Sequence, residues 1–154
     1  MADTFSKKKR SEIMSRIRGK NTKLESDFLK KLSAVSHAKG YRYRKHYLKL
    51  PGKPDIAFPG RKIAVFIDGC FWHGCKKHFR VPASNVSYWT AKIKRNKERD
   101  REVDKASIKA GWTVVRIWEH EIKKSPVASV NKIVHALSIA PAREIGSDRE
   151  SFSQ

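Results

Sequence analysis

The run KIAVFID, residues 62–68, constrains the chain most. It is apolar at five successive positions, 63–67, and is bounded by Pro59-Gly60 before it and Gly69 after it. A strand of that composition has no face to give to water, so it belongs in the middle of a sheet covered on both sides. WTVVRIW, residues 112–118, reads as a second strand, and residues 55–58 as a third, with Pro59-Gly60 as the turn into the first. Residues 41–48 alternate in the manner of a strand before PGKP breaks the chain at 51–54.

Helices fill the spaces between. Leu24, Phe28, Leu32 and Val35 recur at helical spacing over residues 22–36, and Thr22 with Glu25 forms a capping-box pattern. A long charged helix is expected over residues 85–110, ending at Gly111, and a last helix over 126–137. The order α-β-β-β-α-β-α predicts an α/β fold, a mixed central sheet flanked by helices. The length of 154 residues suits one such domain over residues 21–139. Residues 1–20 read as a basic arm, with a short helix over 11–18, and residues 140–154 as a polar, disordered tail.

Charge narrows the partner. Thirty-five Lys and Arg against 15 Asp and Glu give a formal net charge of +20. That excess is far beyond what solubility requires and points to a polyanion, above all nucleic acid, whose neutralised phosphates release counterions. No basic amphipathic helix with a full apolar face and no bilayer-long apolar run is visible, so a membrane partner is not expected. MADTFSKKKR lacks the apolar stretch of a signal peptide. A cytoplasmic location with reduced thiols follows as the expectation, and the two cysteines, five positions apart, then favour metal over a disulfide.

The cysteines sit in IDGCFWHGCKKH, residues 67–78. Cys70, Cys75 and His78 form a Cys-x4-Cys-x2-His cluster, and zinc takes four such ligands in a tetrahedron. Two histidines compete to be the fourth: His73 inside the loop, and His120 just beyond the strand 112–118. The alternative is that the cysteines are small buried hydrophobes.

Carboxylates suggest a second metal. Asp55 follows Pro54 at the start of one strand and Asp68 ends the next, so neighbouring strands would present acids that suit a hard cation such as Mg²⁺. This is the layout of nucleases with a Pro-Asp…(Asp/Glu)-x-Lys signature, but here Gly-Cys follows Asp68 and the lysine is missing. His73 is the candidate to replace it as general base. Glu25 shares a helix face with Phe28, Leu29 and Leu32, so it can turn inward or cap its own helix. Phe71 and Trp72 on the loop, with Tyr88 and Trp89 opening the charged helix, can wedge into a base step, stack on bases or pack over the metal loop. The segment 92–109 holds eight basic residues against four acids, much of it readable as pairing along a solvated face.

Taken together, RSEIMSRIRGKNTKLE, LPGKPDIAF, FIDGCFWHGC, the Val-Pro of residues 81–82, YWTAKIKRNKERDREV and GWTVVRIWEHE resemble the bacterial very short patch repair endonucleases. The motifs occur in order over about residues 10–123. The resemblance implies a fold similar to the type II restriction endonucleases, with a structural zinc added. It implies a strand-specific nick beside the thymine of a T·G mismatch left by deamination of 5-methylcytosine. Residue by residue, it implies Asp55 and the Ile67 main-chain carbonyl as Mg²⁺ ligands, His73 as general base, and Glu25 near the metal-bound water. Cys70, Cys75, His78 and His120 become the zinc ligands, and Phe71 and Trp72 the intercalating aromatics, with Trp89 a further contact. The basic arm carrying Arg16, Arg18 and Lys20 would grip the duplex.

Where some members carry a histidine before Gly-Cys-Phe-Trp-His, this chain has Asp68, which could bind metal or orient water. The resemblance also implies a companion cytosine methyltransferase; a monomer, association with the nucleoid when acting, and mismatch-repair accessory proteins as partners are further expectations. Two rivals remain: a nickase of the same fold for matched, sequence-specific or damaged DNA, and a non-catalytic zinc-stabilised DNA-binding module.

Overall fold

A computed structural model describes residues 6–9, 11 and 23–142. Arg16, Arg18, Lys20 and Thr22 lie outside the described residues, as do most of the expected arm and tail. From Lys23 onward the elements are α1 (Lys23–Ala38), β1 (Arg44–Lys45), β2 (Ile56–Phe58), a 3-10 turn (Pro59–Arg61), β3 (Ile63–Asp68), α2 (Val86–Lys109), β4 (Thr113–Trp118), α3 (Glu119–Lys124) and α4 (Pro126–Ile139).

The strands form a mixed sheet in the order β1-β2-β3-β4. β1 and β2, and β2 and β3, pair antiparallel, while β3 and β4 run parallel. Parallel neighbours require a long crossover, and α2 lies within it. β3 occupies the interior of the sheet, as its apolar run predicts.

Period-two alternation divides β3 between two cores. Ile63 and Val65 join Val115 and Ile117 of β4 in a cluster with Phe28 and Leu32 of α1, Ile122 of α3, and Val130, Ile133 and Leu137 of α4. Ala64 and Phe66 face the other way, toward Leu50, Trp112 and Val103 of α2. Each fully buried Ile, Leu or Phe stabilises the fold by roughly 1.5–3 kcal/mol. The same parity carries the polar end of the sheet. Asp68 continues the 64, 66 series and Arg116 the 112, 114 series, so both belong to the α2 side.

Three local features differ from the sequence expectations. The strand expected over 41–48 shrinks to Arg44–Lys45. His46 takes a positive φ of 47°, which an extended strand cannot hold, and the chain continues beside Pro54 and Asp55 through single hydrogen bonds from His46 N and Tyr47 N. α3 was not expected. It is six residues long, and Glu121 caps it by accepting a hydrogen bond from Trp118 N at 2.8 Å. Finally, α2 is not a solvated rod. Trp89 and Ile93 are buried, and the stripe 89, 93, 96, 100, 103, 107 turns inward. Its end matches expectation: Gly111, at φ 84°, donates to Ile108 O and Trp112 N donates to Ser107 O, a Schellman closure.

Candidate active site and metal centre

The loop between β3 and α2 is fixed at both ends of its cargo. Gly74 has φ 61° and lies so close to α2 that an added Cβ would meet Lys97 and come within 2.7 Å of Ile93 Cγ2. Asn96 Nδ2 donates to Trp72 O at 2.9 Å. On the opposite side Gly52, at φ 73°, lets the PGKP turn approach Val103, where an added Cβ would stand 2.6 Å from Cγ1. Both segments that carry candidate residues therefore rest on one helix.

Cys70, Cys75, His78 and His120 offer ligand atoms that all lie within 4.8 Å of one another. His120 Nδ1 is 3.3 Å from Cys70 Sγ and 3.6 Å from Cys75 Sγ, and His78 Nδ1 is 3.8 Å from Cys75 Sγ. A tetrahedral ion with bonds of about 2.0 Å to nitrogen and about 2.3 Å to sulfur spaces its ligand atoms by about 3.3–3.8 Å. The residues fit such an ion. Burial raises the Cys70 pKa, and Cys75 nearby adds to it. Burial acts on Cys75 in the same sense, but main-chain N–H groups of Lys77 and His78, the hydrogen bond with Cys70 and the Lys77 charge together lower its pKa. His120 joins the cluster from the first turn of α3, so the short helix unseen in the sequence supplies the fourth ligand position.

His73 stands apart from that cluster. Its Nδ1 lies 2.6 Å from Asp100 Oδ2 on α2 and 3.7 Å from Asp68 Oδ1. A carboxylate oxygen accepts, so Nδ1–H donates and Nε2 is left as the basic nitrogen. Burial pulls the imidazole pKa down, but the hydrogen bond to Asp100 and the charges of Asp68 and Asp100 prevail and hold it above the usual value. Asp68 is only 3% exposed. Burial raises its carboxyl above the ordinary range against the pull of His73 and Arg116.

Asp55 immediately precedes β2, and its Oδ2 accepts from Ile67 N at 2.8 Å. In an extended strand a residue's N–H and C=O point to the same edge, so the Ile67 carbonyl lies on the Asp55 side, beyond the last β2–β3 pair, Ile56 with Val65. A carboxylate oxygen and a carbonyl oxygen are donors that a hard cation takes. Asp55, Ile67, Asp68, His73 and Asp100 line one cavity of about 350 Å³, with Lys53 and Arg99 on its wall. An adjoining cavity of about 560 Å³ shares Asp68, His73 and Asp100 and adds Lys76, Lys77, Lys97 and Arg101. Glu25 is half-buried in the first turn of α1 and is not in the lining of either cavity among the described residues.

The aromatics form a pad. Phe71 meets Trp72 edge-on at 5.1 Å and Trp89 at 5.2 Å, and Trp72 lies 6.1 Å from Trp89. Trp89 is buried, while Phe71 and Trp72 are half-buried on top of it.

Three side chains were missed by sequence reasoning: Asp100, Asp104 and Arg116. Arg116 Nη1 donates to both oxygens of Asp68 at 2.9 and 3.0 Å, and its Nε and Nη2 donate to Asp104 Oδ1 at 3.0 and 2.7 Å. The acids looked like partners for neighbouring lysines. The signal that finds them is the continuation of the Trp89, Ile93, Asn96 stripe, which lands on positions 100 and 103–104.

A basic nitrogen oriented by a carboxylate, beside oxygen donors for a hard cation, is the equipment of a hydrolase that activates water. Sequence comparison agrees with that class. Residues 2–79 match the family model described as DNA mismatch endonuclease Vsr. The Type II nicking enzyme V.NaeI of Lentzea aerocolonigenes is 52% identical over 103 residues, 64% of this chain and 62% of that protein's length. Type II nicking enzyme V.XorIIP of Xanthomonas oryzae pv. oryzae is 40% identical over 124 residues, 79% of this chain and 88% of that protein. DNA mismatch endonuclease Vsr of Escherichia coli K12 is 35% identical over 120 residues, 77% of this chain and 74% of that protein. The chain belongs to the Vsr family of DNA endonucleases, which are DNA-cleaving hydrolases.

Proposed function

We propose that this protein is a strand-specific nicking endonuclease acting at T·G mismatches that arise from 5-methylcytosine deamination, by Mg²⁺-dependent phosphodiester hydrolysis in very short patch repair. The observation that carries the reading is the 2.6 Å contact between His73 Nδ1 and Asp100 within the cavity that also holds Asp55. It gives the chain an oriented base beside a cation-binding carboxylate, although the lysine of the Pro-Asp signature is missing.

Asp55 and the Ile67 carbonyl would hold Mg²⁺, which when bound supplies Lewis-acid polarisation of the scissile phosphate and stabilises the leaving oxygen. His73 Nε2 takes the proton of the attacking water, and Asp100 fixes the ring and stabilises the imidazolium that forms. Glu25, carried over from the family resemblance, is assigned a place near the metal-bound water. Lys76, Lys77, Lys97 and Arg101 line the cavity next to the His73 site and suit DNA phosphates. The basic arm, with Arg16, Arg18 and Lys20, adds to that grip.

Phe71 and Trp72 wedge beside the mismatch, and Trp89 supports them from below. A T·G pair unstacks at lower cost than a matched pair, so deformability contributes to selectivity. Zinc at Cys70, Cys75, His78 and His120 is structural and stiffens the loop that presents both wedge and base. The working unit is a monomer of one domain over residues 21–139 with the arm and tail outside it. No helix among the described residues is long and apolar enough to cross a membrane. A cytoplasmic enzyme associated with the nucleoid, with mismatch-repair accessory proteins as partners, fits this role.

The relatives named as type II nicking enzymes favour a second reading, in which the same chemistry is directed at a different DNA target. Nicking of labelled T·G and matched duplexes, in several flanking contexts, separates the two.

A further inference from the structure

We propose that Arg116 is a positioning residue for DNA cleavage, acting through Asp68 and α2 to hold His73 in its working orientation. The proposal rests on the assignment of His73 as the base.

Arg116 stands in the middle of β4, opposite Phe66 of β3 in the parallel register. Its guanidinium lies over the Phe66 ring, 4.5 Å from the centroid. A planar cation on an aromatic face has little rotational freedom, and its fork of donors then points in fixed directions. One arm, Nη1, donates to both oxygens of Asp68. The other side, Nε and Nη2, grips Asp104, and Nη2 also reaches the Asp100 main-chain O at 3.3 Å. The residue therefore ties the end of β3 to one turn of α2, and that turn carries Asp100.

The cost of losing it follows from the charges. Among the described residues, the cationic groups within 4 Å of the carboxylates of Asp68, Asp100 and Asp104 are Arg116 and, when protonated, His73. Asp68 is buried, with 5% of its side chain exposed. Removing the guanidinium leaves that carboxylate uncompensated in a place with little water, with His73 Nδ1 3.7 Å away as its remaining cationic neighbour. Asp68 then competes with Asp100 for the one Nδ1 proton, and the ring turns from the geometry set by Asp100. A lysine cannot replace the device, because an ammonium offers no fork to bridge two carboxylates and a carbonyl. The sequence places the two halves of this pair 48 residues apart, on different strands.

The test uses the full chain with Mg²⁺ and a T·G duplex. Single-turnover nicking rates and DNA dissociation constants are measured for wild type, Arg116→Met, Arg116→Lys, Asp68→Asn with Arg116→Met, and His73→Ala, with rates normalised to DNA-binding-competent protein. The expected result is a rate about tenfold or more below wild type for Arg116→Met, with a dissociation constant within about twofold. Arg116→Lys recovers little, whereas the double variant recovers several-fold because the uncompensated carboxylate is gone. A normalised Arg116→Met rate equal to wild type overturns the inference, as does a double variant no faster than the single one. His73→Ala separates the failures. If it nicks at the wild-type rate, the base assignment falls; if it is inactive while Arg116→Met is not impaired, only the role of Arg116 falls.

Discussion

His73 Nδ1 and Asp100 Oδ2 lie 2.6 Å apart, joining the loop after β3 to the middle of α2. The contact fixes which imidazole nitrogen is basic. Asp100→Asn keeps the shape and removes the charge, and it permits the wrong tautomer. The nicking rate should fall about 100-fold with DNA affinity retained, because positioned acid–base groups contribute on the order of 10²–10⁴ in rate. Single-turnover nicking beside a filter-binding titration checks this; equal losses in both would assign Asp100 to the fold instead.

Metal removal should unfold the site loop. Cys70→Ser, or chelation of the wild type, should release about one equivalent of zinc and destabilise the protein by more than about 3 kcal/mol, since structural zinc sites carry on the order of 10 kcal/mol of folding free energy. Metal analysis with thermal unfolding measures both. Unchanged zinc content in Cys70→Ser would remove Cys70 from the ligand set.

Gly74→Ala tests the docking of that loop on α2. The left-handed conformation at φ 61° costs an L-residue about 1–2 kcal/mol, and the new methyl meets Ile93 and Lys97. A loss of about 2–4 kcal/mol in thermal or denaturant unfolding is expected. A change below about 0.5 kcal/mol would mean that the loop is not held against the helix as described.

Trp72→Ala should lower T·G nicking about tenfold while leaving zinc content unchanged, since one stacked aromatic is worth about 1–3 kcal/mol. The half-buried Trp72 is held by Asn96 through its main-chain O, which the substitution does not alter. Equal losses on T·G and matched duplexes would show that the ring holds DNA without selecting the mismatch.

The sequence carried the strands that are apolar throughout and the helices with clean periodicity. KIAVFID declares itself a central strand because five apolar positions have no other use. The Cys-x4-Cys-x2-His spacing drew attention to residues that do come together, and His120 with them. Residues 41–48 misled because alternation does not reveal that His46 adopts a positive φ. α3 stayed hidden because Trp118 is not a residue type that marks a helix start, so Glu121 had no visible partner. Asp100, Asp104 and Arg116 were illegible for a different reason. Their meaning is tertiary: a charge on a charged helix looks solvated until the strand that faces it, with its arginine, is in place.

Nicking of end-labelled duplexes tests the central claim most directly. A T·G duplex and its matched counterpart, in a set of flanking sequences, are incubated with Mg²⁺ and either wild type or Asp55→Ala. The account predicts a nick in the T strand alone, absent in Asp55→Ala although that variant still binds DNA. Equal cutting of matched DNA would contradict the mismatch function, and Asp55→Ala cutting as fast as wild type would contradict the assignment of the active site.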